Sequence, residues 1–354
     1  MGGCLARSEN AHLVWGIPVK PSRRFAMSGV DPVFCVSAPQ PLFVVPAGGL
    51  QVTIYESPRE MGLASALAIA AEQCRLVAER GETSLQLMAA PSAFPFYEAY
   101  IGLARVSGEL QHAIGQTHFF QFDDYLLPGH HQASFRFLLT HELFGHLADW
   151  YDCQKVHFFE PDIGDPAAAC EAYTALLLAH GPDLMLKGQG EDGHWGFHQP
   201  GIPIDGEPEF ITVEMNEMNL AQQMRDHPTL FRQPADVPAQ AYTANVPLFM
   251  RTRVLIEDNV PQAAKAYAIL ASYGNDTVDA CCPSGALKTH PAAVARTTLA
   301  AGWALLEYRE QGRVSAKAMA KLDEIWETAD DPAATAAKRR FMRESFATLG
   351  IEHD

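Results

Sequence analysis

The segment Leu184–Gly201, LMLKGQGEDGHWGFHQPG, decides how the rest of the chain is read. It opens on a short apolar strand, Leu184 to Leu186, and runs into a turn with glycines at 188, 190, 193 and 196 that carries Asp192, His194, His198 and Gln199. A residue without Cβ tolerates positive φ and lets the backbone come close to a ligand. Polar groups just past a strand's carboxyl end are where open α/β sheets bind ligands, and a carboxylate beside an imidazole moves protons near neutral pH. The segment is therefore the candidate active-site loop, with Gly190 and Gly193 bringing backbone to the ligand and Asp192 and His194 as its chemistry.

Outward from this loop, strands alternate with helices. Met61 to Arg80 has helix formers with an apolar face and ends before Gly81; Ser84 to Ala89 reads as a buried strand, and FYEAYIGLARV as the next helix. His118 to Phe122 is strand-like, Ala133 to Trp150 helical, Val156 to Phe159 a short strand and Pro166 to His180 a helix. Later strands are expected at Phe210 to Val213, Val254 to Ile256 and Val278 to Cys281, with helices at about 261–272 and 292–311. This grammar implies right-handed crossovers and one large α/β domain, doubly wound, with a mostly parallel sheet and helices on both faces. The expected division is a poorly ordered extension or arm at 1–46, the α/β domain at 47–311, and C-terminal helices at 312–354 packed on the domain or on a partner subunit. A homo-oligomer is left open.

Composition sets the outer limits. The 354 residues, 48% hydrophobic, are enough for a large core. A formal net charge of −16 argues against a nucleic-acid or anionic-membrane surface. The seven cysteines form no CxxC pair, which fits reduced thiols in a cytoplasmic protein. No apolar run reaches the roughly 18 residues of a membrane span, and the first 46 residues lack a signal-peptide core. His141 and His146 in HELFGH are five apart, which puts them on different faces of a helix rather than in a zinc motif. No spacing demands a metal, and no cofactor is expected.

A second set of acid groups lies at Asp123 and Asp124, at the end of the strand HFFQF. Adjacent residues of a strand point to opposite sides, so one of the two faces the cleft. With Asp192 and His194 they make an acid–base set suited to moving a proton next to a carbonyl.

These pieces together resemble the glucosamine-6-phosphate deaminase/isomerase family, whose superfamily includes 6-phosphogluconolactonase. The family's strand-end motif matches Asp123, Asp124, Tyr125, Pro128 and Ser134; its GxGxDGHxxFNEP loop matches Gly188 to Pro200; the lysine of its GxxKA turn looks like Lys265, followed by Ala266; its late Ser-x-Leu-x-x-His segment looks like Ser284, Leu287 and His290 with small shifts. The resemblance implies ring opening of a sugar or sugar phosphate by Asp192 and His194, then proton transfer between C2 and C1 by Asp123. Ser92, Asp124, Gly190, Gly193, Gln199 and Lys265 are the implied substrate contacts. Two departures stand out. Gln199 occupies the position of the family's glutamate, and Pro91-Ser92-Ala93-Phe94-Pro95 stands where the family has a glycine-bearing phosphate loop. The family's phosphate-binding arginine has no clear counterpart in MNEMNLAQQM. The expected function is a sugar or amino-sugar (phosphate) isomerase/deaminase; a lactonase-like hydrolase and a non-catalytic sugar-binding homologue are the alternatives.

Overall fold

The computed structural model describes Phe34 and residues 36–162, 164–325 and 332–354. The expected arm therefore lies outside the described residues, apart from Phe34 and residues 36–46. Its end is not irregular: strand β1 (Phe43–Ala47) turns directly into β2 (Leu50–Tyr55) as an antiparallel hairpin. Helix α1 (Pro58–Arg80) starts at a Ser57–Glu60 capping box, which satisfies amides that the first turn leaves unpaired. By length and composition α1 could cross a membrane, but 67% of its apolar window is buried inside the fold, where it packs on α2 (Phe94–Val106) and α3 (Gly108–Gly115).

Strand β3 (Thr83–Leu87) precedes α2, and β4 (Thr117–Gln121) follows α3. Then come β5 (Asp123–Tyr125), α4 (Phe135–Glu142), β6 (Val156–His157), α5 (Pro166–His180) and β7 (Leu184–Lys187). The second half holds β8 (Phe210–Glu214), α6 (Glu217–Asp226), β9 (Gln240–Ala244), α7 (Val246–Phe249), β10 (Leu255–Val260), α8 (Ala266–Tyr273), β11 (Ala293–Thr298) and α9 (Leu299–Gln311). Helices α10 (Ala316–Ile325) and α11 (Pro332–Leu349) close the chain. The main sheet runs β1-β2-β11-β10-β7-β3-β4-β6 and is parallel except at the β1–β2 hairpin. Every residue of β3 and β7 is buried. Since successive side chains point to opposite faces, such strands must be covered on both sides.

Three local readings change. Residues 293–298, AVARTT, form a central strand rather than the start of a helix, because two β-branched threonines and Val294 fill a slot between β2 and β10. The helix expected over 133–150 stops at Glu142. Leu143 leaves helical geometry (φ −128°), and the chain tightens so that Phe144 packs edge-on against Phe119 at 5.3 Å. Residues 278–281 are not a strand, because the Asp279 carboxylate accepts from the Cys281 amide and folds a turn.

The largest difference is a second sheet. Strands β5, β9 and β8 pair antiparallel, apart from the main sheet. Asp123 sits on this small sheet and not at the tip of β4. At the C-terminus, α10 and α11 share an apolar cluster with α8, in which Leu322, Met342 and Phe346 are buried against Tyr267 and Leu270.

Candidate active site

The loop after β7 is built around the His194 ring. A Cβ on Gly190 would lie 1.8 Å from His194 Cε1, so only glycine lets the imidazole lie against the backbone here. The loop closes on itself through Gly190 N–H donating to the His194 carbonyl (3.0 Å) and Gly193 N–H to that of Gly190 (3.1 Å). Asp192 Oδ1 accepts from the His194 amide at 3.1 Å and faces His194 Nδ1 at 2.6 Å. That contact places the proton of the neutral ring on Nδ1 and frees Nε2. Burial pushes the Asp192 carboxyl up, but its contacts with His194 outweigh this and hold it below the ordinary carboxylate range.

Below the loop lies a buried ion pair. Lys187 Nζ is 3.0 Å from Asp258 Oδ1, with both side chains fully buried, and it sits 4.6 Å above the Trp195 ring. Asp258 Oδ2 accepts from Gln189 Nε2 at 2.5 Å and from the Tyr273 hydroxyl. Lys187 reaches Ser284 Oγ (3.4 Å), which donates to the His194 carbonyl at 3.1 Å. Ser284 of the late segment thus anchors the loop.

Gly196 (φ +60°) joins this loop to the small sheet. A Cβ there would meet Thr243 Oγ1 at 2.7 Å and Asp123 Oδ2 at 3.3 Å. Asp123 lines the same cavity as Gly190 and His194. Among the described residues no hydrogen bond reaches its carboxylate, and burial, reinforced by the neighbouring Asp124, raises its pKa well above the usual range. Such a carboxyl is a stronger base than a solvated one.

Ser92 and Lys265 line the same cavity. Pro91–Ala93 is a 3₁₀ turn that continues into α2. Ser92 Oγ lies 2.9 Å from Lys265 Nζ and donates to Gln262 Oε1 at 2.9 Å. Burial lowers the Lys265 pKa, while Asp226, Glu191, Asp258 and Asp192 work to keep it charged.

The expected residues therefore divide. Asp123, His194, Gly190, Ser92 and Lys265 line one cavity, with Asp192 directly behind His194. Asp124, Gly193 and Gln199 do not line it. Asp124 points into the protein and accepts from Tyr125 N (2.8 Å), Phe135 N (3.0 Å), Ser134 Oγ (3.0 Å) and Gln121 Nε2 (3.2 Å). A Cβ on Gly193 would meet Cys282 Sγ at 2.6 Å, so this glycine serves packing. Gln199 does not orient His194. It accepts from Asn216 N and Asn219 Nδ2 (both 2.8 Å) and donates to the Glu214 carbonyl, tying the loop to the start of α6. His198 is fully buried, bonded to the Ile202 carbonyl and the Val246 amide, and burial brings its pKa down to about 4. It is a neutral structural residue.

Helix α6 was missed as part of the site. It presents Gln222, Gln223 and Asp226 to the cavity, while Arg225 pairs with Glu191 on the loop. Its amphipathic spacing is visible in the sequence, but nothing there says which face meets the loop. Among the described residues no cluster of three metal-type ligands lies in this cavity; the one such cluster is His118, His157 and His180, elsewhere on the sheet.

Comparison with known proteins agrees on the family. No family model matches the chain. It is 29% identical to a glucosamine-6-phosphate deaminase of Pseudarthrobacter chlorophenolicus, over 72% of this chain and 93% of that protein. It is 32% identical to a glucosamine-6-phosphate deaminase of Streptomyces coelicolor, over 63% of this chain and 82% of the relative. The fold is shared with a monomeric glucosamine-6-phosphate deaminase (TM-score 0.61, 21% identity, 71% of this chain and 98% of that one). It is also shared with 6-phosphogluconolactonase of Trypanosoma brucei (TM-score 0.55, 16% identity, 74% and 99%). The deciding relative is the deaminase of an Arthrobacter species, 30% identical over 249 residues, 68% of this chain and 87% of its own length. At that identity and coverage, the chain belongs to the glucosamine-6-phosphate deaminase family.

Proposed function

We propose that this chain is a cytoplasmic amino-sugar phosphate deaminase that converts a 2-amino-aldose 6-phosphate to the 2-ketose 6-phosphate and ammonia. The observation that carries this reading is that a buried carboxylate with no hydrogen bond among the described residues (Asp123) and a carboxylate-backed imidazole (His194) line one cavity together with Ser92 and Lys265. His194 Nε2 takes the proton of the C1 hydroxyl and passes it to the ring oxygen as the bond between C1 and that oxygen breaks, which leaves the open-chain aldehyde. Asp192 stabilises the imidazolium form through Nδ1. Asp123 then takes the C2 proton, giving an enolamine, and returns it to C1. The resulting C2 imine adds water and expels ammonia. Lys265 and the hydroxyl of Ser92 hold the phosphate by charge and hydrogen bonding.

The test is to incubate the purified protein with glucosamine-6-phosphate and follow ammonia and the 2-ketose 6-phosphate. Stoichiometric appearance of both supports the proposal. Hydrolysis of 6-phosphogluconolactone without ammonia release from the amino sugar, or ligand binding without turnover of either, overturns it.

A further inference from the structure

At the opposite end of β4 from Asp123, the fold brings together three histidines that lie far apart in the sequence. His118 is the second residue of β4, His157 ends the edge strand β6, and His180 is the last residue of α5. One ring nitrogen of each lies within 4.8 Å of those of the other two. His118 Nδ1 and His157 Nε2 are 2.9 Å apart, and the His180 ring centroid is 4.5 Å from that of His118 and 5.3 Å from that of His157. Phe120 packs beneath, its ring 4.7 Å from that of His157 and 5.4 Å from that of His180.

We infer that His118, His157 and His180 form a binding site for a divalent transition-metal ion of the zinc type, separate from the active site and formed only in the folded chain. Three imidazole nitrogens suit zinc and its borderline neighbours, which bind at about 2.0–2.1 Å. A tetrahedral ion at that bond length needs nitrogens about 3.4 Å apart, so small side-chain rotations bring the three onto one ion. His118 shows the outer arrangement such ligands use. Its Nδ1 points into the cluster, while Nε2 lies on the side of the exposed Glu82 carboxylate, 3.7 Å from Oε2, where a metal-bound histidine commonly has a carboxylate partner. The rings are half-buried, so an ion can enter from solvent and keep a water as fourth ligand. Lys155 is the opposing charge near His118, and its ammonium is held by Gln116 Oε1 at 3.0 Å.

The consequence is structural. Strand β6 is a two-residue edge that pairs only with β4 in the main sheet, and short edges of this kind are weak points. An ion bound by all three histidines ties β6, β4 and the end of α5 together without touching the active site. No sequence motif announces the site, because its ligands come from three separate elements.

The experiment is zinc titration of chelator-treated full-length protein by calorimetry, with Co²⁺ absorption as a second readout. The expected result is one Zn²⁺ per chain, a higher melting temperature with zinc, and the visible bands of four-coordinate Co²⁺. His180→Gln, at a helix end, should weaken zinc at least about tenfold and abolish the Co²⁺ bands while the far-ultraviolet circular dichroism is unchanged. Because His180 lies outside the catalytic cavity, deaminase turnover of that variant should match wild type. Failure of folded wild-type protein to bind at about 100 µM free Zn²⁺ overturns the site, as does binding that His180→Gln and His157→Asn both leave intact. A melting shift common to wild type and both variants likewise places the ion elsewhere.

Discussion

Asp123 and Asp124 are neighbours in the chain, both are buried on the same short strand, and their surroundings could hardly differ more. Asp124 faces inward and accepts from three backbone amides, the Ser134 hydroxyl and the Gln121 amide, with the Arg136 guanidinium 3.5 Å away. Burial still raises its pKa, but those donors oppose the rise. Asp123 faces the cavity, meets no donor among the described residues, and is pushed well above the ordinary range by burial and by Asp124 itself. The alternation of a strand puts one carboxylate into a satisfied structural hub and leaves the other destabilised in its charged form. The second condition suits Asp123 to the base of the proposed mechanism; the first holds the strand that carries it in place.

The largest effect should come from removing the base. Asp123→Asn should lower kcat on glucosamine-6-phosphate by about 10²–10⁴ while preserving the fold. The same substitution should raise stability at neutral pH. Below the ordinary carboxylate range Asp123 is protonated in both the folded and unfolded chains and contributes nothing. Above it, the unfolded chain ionises freely while the folded chain must hold the proton or bury a charge, so folding is opposed up to and beyond the raised pKa. Denaturation midpoints of wild type and variant should therefore coincide near pH 3 and separate as pH rises. A variant less stable than wild type at pH 7 breaks the comparison.

A buried charge that is fully partnered should behave in the opposite way. Lys187→Met leaves Asp258 buried without its ammonium and removes one link to Ser284 beneath His194. Breaking such a pair from one side costs about 3–5 kcal/mol, measurable by urea denaturation. Asp124→Asn is gentler. It keeps one acceptor but turns N–H groups toward donors that the carboxylate accepted from, at a cost of about 1–3 kcal/mol. It also removes a negative charge that raises the Asp123 pKa, so the acid limb of the kcat/KM profile should move to lower pH. An unmoved acid limb would separate the two carboxylates electrostatically.

Much of this site is visible in the sequence, and its gaps have physical causes. The glycines that shape the loop, the Asp192–His194 pair and the two aspartates are local signals, and local spacing carries them. What spacing does not carry is the partner across a gap. That Asp123 sits on a separate antiparallel sheet depends on pairing with β9, more than a hundred residues later. That Gln199 grips α6 rather than His194 depends on where residues 214–219 come to rest. The strand at 293–298 was misread because AVARTT is flanked by helix formers on its carboxyl side, and only its slot between β2 and β10 makes it a strand. The three-histidine cluster is the extreme case, since each ligand lies on a different element.

The smallest effect tests the part of the cavity around Lys265. Asp226 lines the cavity together with Lys265, and it leads the groups that hold Lys265 in its charged form. A substrate phosphate beside Lys265 must therefore share that ammonium with a resident carboxylate. Asp226→Asn removes the competitor, while Glu191, Asp258 and Asp192 still favour the charged lysine. The expected result is a two- to fivefold fall in KM for glucosamine-6-phosphate, about the strength of a partly solvated ion pair, with kcat little changed and no effect on binding of unphosphorylated glucosamine. As pH rises the advantage should reverse, because the variant's Lys265 has lost the first of its supporting charges and deprotonates earlier. A KM that rises at neutral pH would give Asp226 the opposite role, a contact to the substrate's cationic amine, and would place the sugar in the cavity the other way round.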